Sequence, residues 1–465
     1  MSDISTNSEG SPGLSALASY FLADLPPEAE LTPALITEAC QTLKRNRQRY
    51  LEERTTESMV RLLDRLGRDW LESDFPFRQL ALQFGPEGTG FSAAVLASGL
   101  NAFFKQLTAP NLEALLHQEL GQARRLDGFF SDDGAANSRR AALARGPELL
   151  AHIVPGGLPV PVLTQMVLGL LTRSAQFVKC PAQSSFIPRL FAHSIYEADR
   201  KLGACLEIAC WQGGNQNLES ALFAESDCVQ AAGSGEMLAA WRARIPAQTR
   251  FIGYGTRVSL GYVTREAYEE GAEDVAKWAA ADVTAWDQLG SLSPHVIYIE
   301  DSGGAGEFFA TALAAELEAR EKTHPRGVLG AEEAGDIARR RAFYEVRAAH
   351  SPETRLWASS SSTAWTVVLE SDPLFQLSCL NRFIYVKAVA SLTQALQGLE
   401  TVRERICTVG LASTERQAPE LARQLARWGV KRVCPLGRMQ QPPLGWRHDG
   451  RPPLGDLLTW CDWEK

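Results

Sequence analysis

Between residues 175 and 255 the sequence alternates between short apolar runs and amphipathic segments. The apolar runs are AQFVKCP at 175–181, GACLEIACW at 203–211, DCVQAAGS at 227–234 and TRFIGYG at 249–255. Short strands separated by helices are typical of a parallel sheet, because each crossover helix returns the chain to the edge from which the next strand starts. The pattern therefore predicts an α/β domain.

A second α/β block begins with WDQLGSLSPHVIYIED at 286–301, where a polar turn precedes an apolar strand. It continues with the amphipathic helices GEFFATALAAELEAREKT and AEEAGDIARRRAFYEVRAA and the strands STAWTVVLE and NRFIYVKAV. Residues 13 to about 125 instead repeat apolar side chains at three- and four-residue steps between charges, which predicts helices. The turn-rich FSDDGAANSRRAALARGPE at 130–148 separates the two patterns.

Charge and composition exclude several classes of protein. The 465 residues carry a net charge of −8, which argues against a protein that binds the phosphate backbone of nucleic acids. The apolar run LPVPVLTQMVLGLL at 158–171 is too short to cross a membrane, and the polar start MSDISTNSEGSPG is not a targeting segment. The nine cysteines are scattered without a C-x-x-C pair, so we expect free thiols, a cytoplasmic protein and no metal site.

The carboxyl ends of the first set of strands hold the candidate ligand-binding residues, because ligands bind there in parallel sheets. Lys179 follows AQFV, where its ammonium could reach ribose hydroxyls or a phosphate. Gly233 and Ser234 open a helix whose amides favour an anion, and Gly253 and Gly255 end the fourth run. No G-x-G-x-x-G is present, so the alternative stays open that the glycines only form turns and Lys179 lies on the surface.

The second block offers Ser291 and His295 on the turn before PHVIYIE. A polar nucleophile on a turn before a buried strand is a reasonable catalytic placement. Two structural roles compete with it, since serine often caps turns and His295 could satisfy a backbone group. No G-x-S-x-G surrounds Ser291, and a serine-dependent thioesterase would need His295 as its base.

Several longer stretches carry a family resemblance: VPVLTQMVLGLLTRSAQFVKCP, FAHSIYEADRKLGACLEIACWQGG, SDCVQAAGSGE, WDQLGSLSPHVIYIE, RRRAFYEVRAAH, QLSCLNRFIYVK and RVCPLGRMQQPPLGWRHDG. On these stretches the chain from about Ala151 to its end resembles the LuxC-type acyl-CoA reductases, a branch of the aldehyde dehydrogenase superfamily. The resemblance implies an aldehyde-dehydrogenase-like α/β fold, with a Rossmann-type cofactor domain, an α/β catalytic domain and a helical N-terminal extension.

The resemblance also implies a reaction. NADPH would bind the first α/β domain, at Lys179, Gly233 and Ser234. A cysteine attacks the thioester of an acyl-CoA, CoA leaves, and hydride reduces the acyl-enzyme to an aldehyde. The resemblance implies in the same way that the acyl chains are long and that a partner enzyme transfers the acyl group. It also implies a homo-oligomer formed through the C-terminal segment.

The family pattern Q-x-x-C-L-S-P reads QLGSLSP here, so Ser291 stands at the position of the nucleophilic cysteine. A serine hydroxyl is barely ionised at pH 7, and an ester accepts hydride less readily than a thioester, so we expect impaired activity. Ser291 is either an engineered substitution that traps substrate or the mark of a natural homologue that only binds acyl-CoA or a nucleotide. Cys379 and Cys180 are the other thiols considered, and both fit a buried structural role better.

Many relatives in the superfamily place an oxyanion-binding asparagine near the start of the cofactor domain, where this chain reads HIVPGGLPVP with Gly156 and Gly157. The backbone N–H of Ser291 would then stabilise the oxyanion, and Asn215 and Asn381 are better explained as turn residues.

Together with what the resemblance implies, these patterns divide the chain into five segments. They are a tail at 1–12, a helical region at 13–130, an NADP-binding domain at 147–265, a catalytic domain at 266–420, and a segment at 421–465 that returns to the cofactor domain or mediates oligomerisation.

Overall fold

The computed structural model describes residues 17–26, 28–131, 140–301 and 303–464, so the predicted tail at 1–12 lies outside the described residues. In chain order the α-helices of these ranges are α1 (Pro33–Tyr50), α2 (Thr56–Asp69), α3 (Pro76–Thr89), α4 (Ala93–Phe104), α5 (Ala109–Leu120), α6 (Val160–Leu171), α7 (Phe186–Ala198), α8 (Arg200–Gly203), α9 (Gln216–Glu225), α10 (Gly235–Arg244), α11 (Arg265–Thr284), α12 (Ala305–Thr323), α13 (Ala331–His350), α14 (Leu392–Gly398) and α15 (Ala418–Trp428).

The strands of the same ranges, again in chain order, are β1 (Arg140–Arg145), β2 (Leu149–Ile153), β3 (Ala175–Cys180), β4 (Leu206–Cys210), β5 (Cys228–Ala232), β6 (Arg250–Tyr254), β7 (Val258–Val263), β8 (Pro294–Glu300), β9 (Arg355–Ala358), β10 (Thr366–Glu370), β11 (Phe383–Val389), β12 (Ile406–Ala412), β13 (Arg432–Pro435) and β14 (Thr459–Glu464). The mixed α/β class predicted from the sequence is confirmed.

The chain forms two compact units. The first contains the described parts of Met1–Thr89, Phe103–Gly255 and Pro452–Lys465, and the second contains Gly90–Ala102 and the described parts of Thr256–Arg451. The first unit therefore includes most of the N-terminal helices together with strands β1 to β6 and β14.

The first unit is built on a five-stranded parallel sheet in the order β4-β3-β2-β5-β6. All four predicted strands of this block are present, and β2 was missed because LLAHI follows a turn-rich stretch. Every residue of β2 and β3 is buried, which explains why AQFVKC does not alternate between apolar and polar side chains. Helix α1 covers this sheet with Ile36, Cys40 and Leu43, which join the core formed by α9, α10 and the strands.

The first unit also contains a two-stranded antiparallel ribbon, in which β1 pairs with β14 from Arg140 and Glu464 to Arg145 and Thr459. Neither strand was predicted, because RAALAR lies in the turn-rich boundary and TWCDWE in a tail rich in proline and glycine. All six residues of β14 are exposed.

The second unit is built on a seven-stranded sheet in the order β13-β12-β7-β8-β11-β10-β9, which is parallel except for β9. Alternate residues of β8 enter the cores on the two faces, with Ile297 and Ile299 in one core and Val296 and Tyr298 in the other. Burial on both faces explains the apolar run PHVIYIE.

In the part of the chain that the structure describes, no helix combines the length and apolar character that a membrane crossing requires. All nine cysteines are free.

Candidate functional site

The carboxyl edge of the five-stranded sheet contains a point where the strand order reverses. The first strand of this sheet in the chain, β2, lies in the middle, with β3 on one side and β5 on the other. Loops that leave two such strands diverge and create a crevice, which is where nucleotides bind in sheets of this topology. The loop after β2 contains Gly156 and Gly157 at φ of 95° and 87°, a region that glycine adopts without strain. A Cβ on Gly156 would lie 3.1 Å from Ser184 Oγ, which accepts a hydrogen bond from the Gly157 N–H.

Gly233 and Ser234 follow β5 on the other side of the crevice. The Gly233 N–H donates to the Tyr254 carbonyl over 3.1 Å. Ser234 caps α10, since its Oγ accepts from the Met237 N–H over 3.3 Å. The helix therefore begins at the crevice, where its first-turn amides favour an anion. Of the two predicted glycines on the neighbouring strand, Gly253 pairs with Ala231 inside β6, and Gly255 follows the strand with open space around its Cβ position.

Lys179 is the penultimate residue of β3 and is 3% exposed, so the surface role considered for it does not hold. Its Nζ lies 5.8 Å from the centre of the Trp211 ring, and no described residue forms a hydrogen bond or ion pair with it. Burial lowers the pKa of this ammonium, an effect that the Glu219 carboxylate partly opposes. A buried cation without a hydrogen-bonded anion is costly, so this site fits an anionic ligand.

The predicted nucleophile lies in the second unit, on a strained turn. Trp286, Asp287 and Gln288 have φ values of 51°, 50° and 66°, so three consecutive non-glycine residues adopt the left-handed region. Each such residue costs free energy, and the run persists only if contacts elsewhere compensate for it. One contact is the burial of the Trp286 indole, whose ring lies 5.2 Å from that of Phe91. Gly99 allows the indole to approach, since a Cβ there would lie 2.0 Å from its Cζ2 atom.

The second contact is a buried ion pair. Asp287 Oδ1 accepts from Arg382 Nε over 2.9 Å and from Nη2 over 2.6 Å, and its Oδ2 accepts from the Gly327 N–H over 3.0 Å. Arg382 is fully buried and also donates to Glu321 over 2.7 Å. It ends a second left-handed run, Leu380–Arg382, with φ values of 62°, 54° and 65°. The two strained turns precede β8 and β11, which are neighbouring parallel strands, and are joined through this pair.

Gln288 connects the same two strands. Its Nε2 donates to the Pro294 carbonyl over 2.8 Å and to the Phe383 carbonyl over 3.0 Å. Its Oε1 is buried and receives no hydrogen bond from the described residues. The start of β8 is therefore anchored to the start of β11, immediately beyond the predicted nucleophile.

Ser291 is exposed, and no described residue forms a hydrogen bond with its hydroxyl. Its carbonyl accepts from Ser259 Oγ over 2.7 Å. The N–H groups of Ser291 and Leu292 have no acceptor among the described residues. The position thus combines an accessible side chain with two amide donors, an arrangement that can stabilise an oxyanion.

His295 lies on β8, four residues beyond Ser291, and is 8% exposed. Its Nδ1 accepts from the Ser378 N–H over 3.2 Å, and its ring contacts Phe375 edge-on. Burial, with a smaller effect from Arg405, lowers the pKa of His295 to about 4. The ring is therefore neutral at pH 7 with its proton on Nε2, so it has no free lone pair for the Ser291 proton. A catalytic role for His295 remains a prediction, and the thioesterase alternative gains no support from it.

The other polar candidates have structural roles. Asn215 caps α9 by accepting from the Leu218 N–H over 3.3 Å, and Asn381 belongs to the second strained turn. Burial raises the pKa of both Cys379 and Cys180, which makes these thiols poor nucleophiles.

Three residues that hold the turn, Gly99, Ser259 and Arg382, were not among the predicted site residues. The sequence contains a signal that could have predicted the role of Arg382. This arginine stands directly before one apolar strand, and Asp287 stands shortly before another. Parallel strands begin at the same edge, so opposite charges at two strand starts can meet.

Comparisons with known proteins agree with this fold. The sequence profile of the family described as acyl-CoA reductase (LuxC) matches residues 51–460. Long-chain acyl-protein thioester reductases from Aliivibrio fischeri and Vibrio harveyi are each 21% identical, over 88% and 90% of this chain and 82% and 84% of theirs. The crystal structure of a NAD-dependent benzaldehyde dehydrogenase from Corynebacterium glutamicum superposes with a TM-score of 0.69 at 11% identity, over 94% of this chain and 91% of that one. The chain therefore belongs to the acyl-CoA reductase (LuxC) family and has the aldehyde dehydrogenase fold.

Proposed function

We propose that this chain binds NADPH and a long-chain acyl thioester and has the architecture to reduce the acyl group to an aldehyde through an acyl-enzyme at position 291. Because that position is serine, we expect turnover to be strongly impaired. The observation that carries the proposal is the exposed, unbonded Ser291 side chain on a turn that buried contacts hold in a strained conformation.

The cofactor assignment rests on the crevice of the five-stranded sheet. In such sheets an acidic residue at the end of the second strand binds the ribose 2′-hydroxyl of NAD, and a cation favours the 2′-phosphate of NADP. Here the second strand is β3, which has Lys179 at its end and is followed by Pro181, Ala182 and Gln183 without an acid. Lys179 would therefore hold the 2′-phosphate, and the amides after Gly233 and Ser234 would face the other phosphates. When bound, the cofactor supplies the hydride.

The chemistry at position 291 follows from the side chain and its neighbours. Attack on the thioester carbonyl places negative charge on its oxygen, which the N–H groups of Ser291 and Leu292 can stabilise. A thiolate at this position would be nucleophilic near neutral pH, whereas the serine hydroxyl needs a base. His295 does not supply one, because its Nδ1 lone pair is occupied. The arrangement therefore suits cysteine better than serine.

The substrate class follows from the family. Its description specifies acyl-CoA, and the relatives are named for acyl-protein thioesters, so the shared chemistry is a thioester with a large carrier. We propose acyl-CoA as the substrate and an acyl-transferring enzyme as a partner.

The exposed Trp460 and Trp463 on β14 favour a homo-oligomer, because protein interfaces bury such side chains. Nine free cysteines favour the reducing cytoplasm.

A second candidate function is a catalytically silent homologue that binds acyl-CoA or a nucleotide for a partner enzyme. The unassisted hydroxyl of Ser291 favours it. Whether the serine is natural or an engineered trap does not change the test.

The test compares the protein with its Ser291→Cys variant, each mixed with a long-chain acyl-CoA and NADPH. We expect the variant to oxidise NADPH and form aldehyde, and the serine protein to do neither. Binding of NADPH, measured by its fluorescence on both proteins, controls for misfolding. The reductase proposal fails if the variant binds NADPH but oxidises none and carries no acyl adduct by intact mass. Acyl-CoA binding without turnover in both would then favour the silent homologue.

A further inference from the structure

Strand β7 lies between two strands that are both irregular beside Ser259. On the β8 side, Ser259 is opposite Pro294 and Leu260 is opposite Val296, so His295 is an extra residue in the ladder. Such a bulge locally interrupts backbone pairing and changes the direction of the strand. Bulges often lie next to active sites, where they reorient a side chain.

The β12 side is irregular at the same level. Ile406 is opposite Val258 and Val409 is opposite Leu260, so two residues of β12, Cys407 and Thr408, stand beside Ser259. The fully buried Ser259 hydroxyl replaces the missing ladder bonds. It accepts from the Thr408 N–H over 3.2 Å and donates to the Ser291 carbonyl over 2.7 Å.

We infer that Ser259 is a positioning residue for the reaction at position 291, an inference that rests on the proposed function of Ser291. Its single proton is donated to the Ser291 carbonyl, and the Thr408 N–H occupies a lone pair, so the hydroxyl cannot rotate without losing a bond. The carbonyl that it holds belongs to the peptide unit between Ser291 and Leu292.

That peptide unit transmits the constraint to the reacting atoms. A trans peptide is planar, so fixing its carbonyl oxygen also fixes the direction of its N–H on the opposite side. The N–H belongs to Leu292 and is one of the two free amides beside the nucleophile. Ser259 therefore orients an oxyanion donor and the backbone that carries the side chain at 291, although its own hydroxyl reaches only a carbonyl.

A purely structural role is the competing explanation, because any buried hydroxyl with two backbone partners contributes to stability. Ser226 provides the matched control. It is also buried, at 4% exposure, and its Oγ donates to the Leu222 carbonyl over 2.7 Å in the other unit. Ser259→Ala and Ser226→Ala each remove one buried hydroxyl-to-carbonyl bond, and only the first removes it from the nucleophile turn.

The experiment uses full-length protein carrying Ser291→Cys, alone and with Ser259→Ala, Ser259→Thr or Ser226→Ala. Two quantities are measured. The first is the pH–rate profile for alkylation by iodoacetamide of the thiol introduced at position 291, followed on its peptide by mass spectrometry. The second is steady-state oxidation of NADPH with acyl-CoA. Melting temperatures report the structural cost of each change.

We expect Ser259→Ala to lower kcat about tenfold, the factor that one well-placed hydrogen bond contributes, without changing the KM for NADPH. We also expect the midpoint of alkylation at position 291 to move to higher pH, since the Leu292 N–H would lose the orientation that Ser259 gives it. Ser259→Thr keeps the hydroxyl and should restore both quantities. Ser226→Ala should lower the melting temperature and leave both unchanged.

Alkylation separates the two proposals, because it needs no reductase activity. If the Ser291→Cys protein does not turn over, the proposed function fails, and the midpoint still tests Ser259. The inference is overturned if Ser259→Ala and Ser226→Ala give the same midpoint and kcat. It is also overturned if Ser259→Thr shifts the midpoint as far as Ser259→Ala does. Where the alanine variant does not fold, a midpoint for Ser259→Thr that differs from that of the Ser291→Cys parent overturns it.

Discussion

The candidate residues of the five-stranded sheet lie at or just beyond the carboxyl ends of its strands, whereas Ser291 comes before a strand of the seven-stranded sheet. Lys179 and Gly233 stand at carboxyl ends, where the reversal in strand order creates a crevice from the topology alone. Ser291 stands at the amino edge, on a turn that topology does not create. Its conformation depends on the ion pair between Asp287 and Arg382, an arginine about ninety residues away in sequence. The comparison shows that one site follows from strand order and the other from individual side chains.

The largest test of this contrast is Arg382→Ala. The change leaves Asp287 and Glu321 without their buried cation and releases both strained turns, so we expect the free energy of unfolding to fall by about 3–5 kcal/mol. Denaturant unfolding measures it. The exposed pair of Arg339 and Asp336 serves as the control, because Arg339→Ala should cost less than about 1 kcal/mol. Similar small losses for both would show that the turn does not depend on the buried pair.

Lys179→Met tests the other side of the comparison. Loss of a charge-assisted bond to phosphate should weaken NADPH binding about 10- to 100-fold, with a smaller effect on NADH. The free energy of unfolding should not fall, because the buried ammonium has no hydrogen-bonded anion and methionine removes the cost of burying its charge. Fluorescence titration of the protein that retains Ser291 measures both affinities, and Lys201→Met at an exposed position is the control. Equal losses for the two cofactors would contradict a role at the 2′-phosphate.

Strand order explains which parts of the structure were predictable. The runs that became β5 and β8 are largely apolar because nearly all of their residues are buried, and that pattern is local. Strands β1 and β14 escaped because each lies in a turn-rich segment and they pair with each other across more than 300 residues of the chain. Their residues carry no periodic pattern that a local reading could detect.

The same distinction applies within the candidate site. The carboxyl-end position of Lys179 follows from the sequence, since it needs only a strand and its direction. The φ values of Trp286, Asp287 and Gln288 do not, because non-glycine residues enter the left-handed region only where tertiary contacts compensate. The resemblance predicts the nucleophile at position 291, and only the structure shows the hydrogen bond from Ser259 to the Ser291 carbonyl.

Gly99→Ala is the third test, and it examines the packing beneath the turn. A Cβ at position 99 would lie 2.0 Å from the Trp286 indole, so the indole must move, and we expect a loss of about 1–3 kcal/mol. Gly335 in α13 has open space at its Cβ position, so Gly335→Ala should raise stability by about 0.5–1 kcal/mol. Opposite signs in denaturant unfolding support the dependence of the turn on α4. A gain in both variants would show that the indole can relocate freely.

The smallest effect concerns protonation of His295. Its pKa is about 4 in the folded protein, below the ordinary value of about 6.5, so the unfolded chain binds more protons between these values. Stability that is present at pH 7 is therefore lost as the pH falls. His295→Asn keeps an acceptor for the Ser378 N–H and removes the titration, so wild type should lose about 1 kcal/mol relative to the variant between pH 7 and about pH 5.5. His152, which is buried in the five-stranded sheet of the other unit, also has a pKa of about 4, so its protonation should likewise lower stability as the pH falls. A pH-independent difference in the free energy of unfolding between wild type and His295→Asn would mean that His295 binds its proton equally well in the folded protein. His295 could then act as an acid in the reaction at Ser291. That result would weaken the contrast between the turn at Ser291 and the carboxyl edge of the five-stranded sheet.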